Sequence, residues 1–210
     1  VINMESIRYI FHKKSVQYLF LCLYLFNCFY KITQYSHDES YYYVGGLMIK
    51  FVFNFYSIIF FYLVNLHHTF FANIFISIRY KSKEKVKLHS NLILCLTYTI
   101  LLLIGIFLPC LFSLNLKLIV YTLEMGVFIF LLGLFCINLI NLLNFYTKYY
   151  TGFSLVLCLY YAFYGAILYP QNIDLFTYDL VCIPRIITCF SLIIFHFICT
   201  KIIQGSDHYV

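Results

Sequence analysis

The chain of 210 residues has 63% hydrophobic residues and only 10% charged residues, against about 25% charged residues in an ordinary soluble domain. With a mean hydropathy of +0.89, this composition excludes a soluble enzyme, a disordered segment and a nucleic-acid-binding domain. The bases behind the net charge of +6 are spread between apolar runs, so no nucleic-acid partner is expected. We predict an all-α polytopic membrane protein, with residues 1–210 in a single membrane domain.

Seven apolar runs follow one another along the chain. A bilayer-spanning helix needs about 20 mostly apolar residues, so each run is a candidate span. The runs cover residues of about 15–32, 43–64, 69–80, 89–112, 116–145, 150–169 and 179–203. A polar break from Asn65 to His68 favours a tight hairpin between the second and third runs. The alternative is that both runs form one kinked span.

Lys and Arg in short loops mark the cytosolic side of a membrane protein. With seven spans, one side carries eight of these residues: Lys31, Arg79, Lys81, Lys83, Lys85, Lys87, Lys148 and Lys201. The other side carries four: Arg8, Lys13, Lys14 and Lys117. The first side is therefore predicted to be cytosolic, which gives a lumenal or extracellular N-terminus and a cytosolic C-terminus. If the second and third runs were one span, both ends would lie on the same side.

Two cations lie inside the apolar runs, where an ionisable side chain costs several kcal/mol unless it is paired or hydrated. Lys50 could capture a ligand carboxylate together with Asn54, one helical turn further on, or it could extend to the interface. Arg185 follows Pro184, which is expected to kink the seventh run. Its partner could be Glu124 or Asp179, or its side chain could reach the interface.

One acid and several histidines complete the candidate residues. Glu124 in the fifth run could carry a proton, pair with a cation, or remain a neutral acid near the interface. His12, His67 and His68 could sense lumenal pH, because histidine titrates near neutral pH, or they could be ordinary hydrated interface residues.

Common motifs for catalysis, metals and nucleotides are missing from the sequence. HExxH, paired CxxC, GxGxxG, GxxxxGK[ST] and GxSxG do not occur, and the nine cysteines lie in apolar runs where free thiols pack like small hydrophobic groups. We therefore expect no enzyme, no catalytic residues, no metal and no cofactor. The chain begins with Val1, and Met4 is the alternative start.

Four sequence blocks occur in the order found in a known receptor family. KFVFNFYS at 50–57, ANIFISIRYKS at 72–82, LKLIVYTLEMGVFIFLLGL at 116–134 and CTKIIQG at 199–205 resemble blocks of the KDEL/HDEL receptors, the ER lumen protein-retaining receptors. The resemblance implies a SWEET-like architecture of seven transmembrane helices, with two three-helix bundles joined by a linking helix.

The resemblance also implies a function and roles for residues. The family retrieves escaped ER proteins from the Golgi by binding their C-terminal tetrapeptides at mildly acidic pH, and it engages the COPI coat on the cytosolic side. Lys50 and Arg8 fall where the family has ligand-binding arginines, and Glu124 falls on the glutamate of the fifth span. The arginine that pairs with that glutamate falls near Leu159, so Arg185 is the candidate replacement. The alternatives are a small-solute transporter of similar fold and a structural subunit of an organellar membrane complex.

Overall fold

The computed structural model describes residues 3–35, 39–47, 57–72, 83–112, 115–146, 148–163 and 183–206. These residues are mainly α-helical. The helices are α1 (Asn3–Phe11), α2 (Lys14–Gln34), α3 (Ser40–Leu47), α4 (Ser57–Ala72), α5 (Lys83–Phe107), α6 (Leu116–Tyr146), α7 (Tyr149–Phe163) and α8 (Ile183–Ser206). A 3₁₀ turn, Leu108–Cys110, follows α5 where Pro109 lacks the amide needed to continue the helix.

Three stretches are long and apolar enough to cross a bilayer: Lys14–Gln34, Val86–Cys110 and Leu116–Asn144. Ser57–Ala72 and Ile186–Ile202 are shorter apolar helices. Large apolar side chains also lie on the outer surface, where Ile32 is 80% and Phe112 92% exposed. Water would penalise such a surface, whereas lipid would not. The predicted helical membrane class is confirmed.

α5 and α6 form the centre of the bundle and run antiparallel. A methyl group at Gly126 would lie 2.8 Å from Leu103 Cδ1, and one at Gly133 would lie 3.5 Å from Cys95 Sγ. Gly126 therefore allows the two helices to approach closely, whereas the atoms nearest to a methyl group at Gly133 would be those of the Phe60 ring on α4, at 3.2 Å. α6 begins where Asn115 caps it, since Asn115 Oδ1 accepts a hydrogen bond from the backbone amide of Leu118 at 2.7 Å.

α2 runs parallel to α5. The hydroxyl of Tyr24 donates to the carbonyl of Leu101 at 2.7 Å, and Asn27 Nδ2 donates to the carbonyl of Gly105 at 3.2 Å. Residue numbers rise on both helices from the first hydrogen bond to the second, which shows that the helices are parallel. α4 runs the opposite way, because Phe60 packs on Tyr98 and His67, further along α4, bonds to Ser90, earlier in α5.

α7 is antiparallel to α6, and α8 is parallel to it. Tyr149 at the start of α7 stacks on His68, whereas Tyr161 bonds to Ser57 at the start of α4. The most extensive helix contact is between α6 and α8. Here the first turns of α8 lie beside Glu124, and His196 bonds to Asn138 further along both helices.

The break predicted from Asn65 to His68 is wrong. α4 continues without interruption through these four residues, and His67 is buried among other helices. Its ring nitrogen bonds to Ser90, so the helix provides an internal partner for a side chain that the sequence placed in a hydrated turn. Parts of the second, third, sixth and seventh predicted spans lie outside the described residues.

The bundle has two ends. The α1 end contains α1, the end of α4, the start of α5, the end of α6, the start of α7 and the end of α8. The α3 end contains the end of α2, α3, the 3₁₀ turn after α5, and the starts of α6 and α8.

Candidate functional site

A group of polar residues is buried at the α3 end. This group, the Lys31 cluster, consists of Asn27, Lys31, Ser40, Tyr43 and Cys110, all inaccessible or nearly so. They come from α2, α3 and the 3₁₀ turn after α5. A membrane helix bundle gains nothing from burying polar groups unless they bond to each other or bind something, so the cluster is the leading candidate site.

Lys31 is the charged member of the cluster and is only 5% exposed. It lies in the last turn of α2, where a cation is favoured by the exposed carbonyls of the helix end. Its Nζ lies 5.6 Å from the ring centroid of Tyr43, within the range of a cation–π contact. The chain thus holds an ammonium group inside the protein at one end of the membrane domain.

Hydrogen bonds fix the other members around Lys31. The Tyr43 hydroxyl donates to the backbone carbonyl of Asn27 at 3.2 Å, and the Asn27 side chain is anchored on Gly105. The side chains of Ser40 and Cys110 are hydrogen-bonded to each other.

Three tyrosines pack around the same point. The ring centroids of Tyr30, Tyr35 and Tyr43 are 5.8 to 6.1 Å apart in each pair. Such separations are typical of favourable aromatic contacts. The ring of Tyr43, which contacts the Lys31 ammonium, is therefore itself packed between two further tyrosines.

Sequence reasoning placed Lys31 at a span boundary and missed its burial. One feature of the sequence does indicate this burial. Asn27 and Lys31 are four residues apart, so they share one helix face. A polar pair on one face of an apolar helix indicates a contact inside the protein.

Glu124, one of the predicted site residues, faces a groove between α6 and α8. The groove measures about 230 Å³ and is otherwise lined by apolar side chains and one thiol. These are Val127, Ile186, Cys189, Phe190 and Ile193. Arg185 immediately precedes Ile186, so its backbone lies at the level of Glu124, one of its two candidate partners. The other candidate, Asp179, lies outside the described residues.

The remaining predicted residues are dispersed. Arg8 lies exposed on α1, and His12 is exposed in the turn that follows α1. α1 packs against α4 and α5, whereas Glu124 faces α8, so Arg8 and Glu124 belong to different helix contacts. Lys50 and Asn54 lie outside the described residues.

His67 and His68 belong to the α1 end. His67 Nε2 lies 2.7 Å from the hydroxyl of Ser90, which also bonds to the hydroxyl of Ser6. His68 stacks face to face on Tyr149. The first contact ties α1, α4 and α5 together inside the protein, and the second joins α4 to α7.

Comparison with known proteins gave no match to a family model, a curated protein or a solved structure. Within the described part of the chain, no group of three or more His, Cys, Asp or Glu side chains could hold a metal ion.

Proposed function

We propose that this chain is a membrane receptor that binds the C-terminal carboxylate of a lumenal peptide. In this proposal it recognises KDEL- or HDEL-like signals in the Golgi and returns the bound proteins to the ER. The buried ammonium of Lys31 carries the proposal. A peptide carboxylate needs a cation in a site with little water, where a charge-assisted hydrogen bond is roughly twice as strong as a neutral one.

The order of the four sequence blocks supports the same proposal. The resemblance names Lys50 as the cation that binds the ligand. Lys50 follows the end of α3 by three residues, and α3 contributes Tyr43 and Ser40 to the Lys31 cluster. In the proposal, Lys31 and Lys50 together bind the carboxylate and the acidic side chains of the signal. On the cytosolic side, the COPI coat would be the partner.

Peptide binding to the purified full chain tests this function. The probes are peptides ending in HDEL or KDEL, measured at pH about 5.5 and 7.4. The family resemblance implies tighter binding at the lower pH. A peptide with an amidated C-terminus should bind at least about tenfold more weakly, roughly 1.4 kcal/mol. The amidated peptide changes no residue of the protein, so its loss of binding cannot come from misfolding.

Two lysine variants locate the site. Lys31→Met removes the buried ammonium and should weaken binding at least about tenfold. Lys117→Met is the matched control, because Lys117 lies exposed at the same end of the bundle. Equal affinity for free and amidated peptides, or the absence of binding at both pH values, would refute the proposal.

A small-solute transporter is the second candidate, and the Glu124 groove is the observation that favours it. A carboxyl group in an apolar groove between two membrane helices is a common arrangement for binding a proton or a cation. Proteoliposomes should then take up a solute in response to a proton gradient, and Glu124→Gln should abolish the uptake. Uptake that is unchanged in Glu124→Gln would exclude this role for the groove.

A further inference from the structure

We propose that the chain crosses the membrane six times between α2 and α8, and that the α1 end faces the cytosol. Both α1 and the end of α8 then lie on the cytosolic side, against its anionic lipid headgroups. This topology is independent of the proposed ligand, and it replaces the seven-span arrangement expected from the sequence.

Helix directions carry the proposal. α2 and α5 are parallel. Tyr24 of α2 bonds to Leu101 of α5, and Asn27, one turn further along α2, bonds to Gly105, one turn further along α5. In the seven-span arrangement these helices would be the first and fourth spans and would run in opposite directions. The two hydrogen bonds could not then form in this order. A single crossing between α2 and α5 gives them the same direction.

The directions of the remaining helices also fit one crossing per helix. α4 is antiparallel to α5, α6 is antiparallel to α5, α7 is antiparallel to α6, and α8 is parallel to α6. The longest interval between described helices, 164–182, has 19 residues. Two additional crossings would require about 40 residues, so no interval changes the alternation.

The distribution of cations gives the orientation. Eight Lys and Arg of the described residues belong to the α1 end: Arg8, Lys13, Lys14, Lys83, Lys85, Lys87, Lys148 and Lys201. Arg79 and Lys81 fall in the sequence between α4 and α5. Of the described residues, only the cations Lys31, Lys117 and Arg185 belong to the α3 end. This asymmetry is larger than the eight against four of the seven-span arrangement. The positive-inside rule therefore places the α1 end in the cytosol.

α1 has the form of a helix that meets a membrane surface. Its residues Ser6, Ile7 and Ile10 are buried against the bundle, while Arg8 and Tyr9 face outward. The ammonium of Lys13 lies 4.6 Å from the ring centroid of Tyr9. Arg8 near the end of α1, together with Lys13 and Lys14 just after it, suits the anionic headgroups of the cytosolic leaflet.

Glycosylation mapping tests the topology in the full chain. The sequence has no Asn-X-Ser/Thr site, so any glycan must come from an introduced acceptor. One variant carries a flexible acceptor insert in the interval 36–38, and a second carries the same insert ahead of Asn3. In microsomes we expect the first variant to gain a glycan and the second to gain none.

The seven-span arrangement predicts the reverse at both positions, so that result would overturn the proposal. An acceptor after Ser206 is the control, because both arrangements place it in the cytosol. Protease protection gives a second measurement if neither insert is modified. An epitope ahead of Asn3 should be digested in sealed microsomes, and its protection would also overturn the proposal.

This topology bears on the proposed receptor. It places the Lys31 cluster at the lumenal end, where a retrieved peptide would arrive, and it places His67 and His68 at the cytosolic end. The two proposals fail separately: glycan positions report the topology alone, whereas peptide affinity reports the ligand alone.

Discussion

Gly105 lies where the side chains of Tyr24 and Asn27 on α2 pack against α5. A methyl group at this position would lie 2.5 Å from the Tyr24 ring, so the ring would have to move and its hydroxyl would lose Leu101. We expect Gly105→Ala to destabilise the protein by about 1–3 kcal/mol, the usual cost of overpacking. Thermal unfolding in detergent measures the change.

Gly126→Ala is the control for Gly105→Ala. The added methyl group would meet only Leu103 Cδ1, at the end of a flexible side chain that can rotate away. Its melting temperature should fall less than that of Gly105→Ala. Equal falls would show that the contact with Tyr24 has no special role.

The residues of the Lys31 cluster show what a sequence can and cannot reveal about a site. The spacing of Asn27 and Lys31 indicates a shared face, but the partners of that face come from other helices: α3, which follows α2 directly, and α5, whose Gly105 lies 78 residues after Asn27. The contact between these residues depends on how the helices pack, and the residue pattern of a single helix does not predict that packing. Glu124 was predicted because a single acid in an apolar run is conspicuous on its own.

At the scale of helices, α1 depends on buried hydroxyl groups. Ser90 bonds both to Ser6 on α1 and to His67 on α4, and its own side chain is fully buried. Ser90→Ala would leave His67 Nε2 without this partner and would remove the contact to α1. Such losses cost about 0.6 to 1.7 kcal/mol between membrane helices.

We therefore expect faster hydrogen exchange in α1 of Ser90→Ala, while exchange in α6 stays unchanged. Ser191→Ala is the matched control, because Ser191 is exposed and bonds only to the carbonyl of Ile187 in its own helix. Equal rates of hydrogen exchange in α1 of the two variants would show that the hydroxyl contacts do not stabilise the packing of this helix.

Two of the helices depart from sequence expectation for one physical reason. α1 lies ahead of the first predicted span, where hydropathy predicts no helix, and α4 continues through the predicted polar break. In each case polar side chains bond inside the bundle, Ser6 to Ser90 and His67 to Ser90. Hydropathy treats such residues as hydrated and cannot register a partner on another helix. The long apolar helices α2, α5 and α6 followed from hydropathy directly.

At the scale of the whole molecule, the reactivity of native cysteines distinguishes exposed positions from buried ones. Cys22 and Cys158 are exposed on the outside of the bundle, whereas Cys95 and Cys136 are buried. In detergent, a small maleimide should label Cys22 and Cys158 first, because reaction requires access to the thiol. Peptide mapping by mass spectrometry gives the order.

Cys95 and Cys136 should react only after unfolding in SDS. Cys95 Sγ lies close to Gly133, at the contact of α5 with α6, so its early labelling would mean that the centre of the bundle is open. That outcome would contradict the helix packing on which the six-crossing topology depends.

The pairing of α2 with α5 has a consequence for biosynthesis. Asn27 leaves the ribosome 78 residues ahead of its partner Gly105, a delay of several seconds at about 5–20 residues per second. During this time the first helix carries an amide and the Lys31 ammonium without the surface that later encloses them. We therefore expect the nascent first helix to remain beside the translocon, or with an insertion chaperone, until α5 has been made.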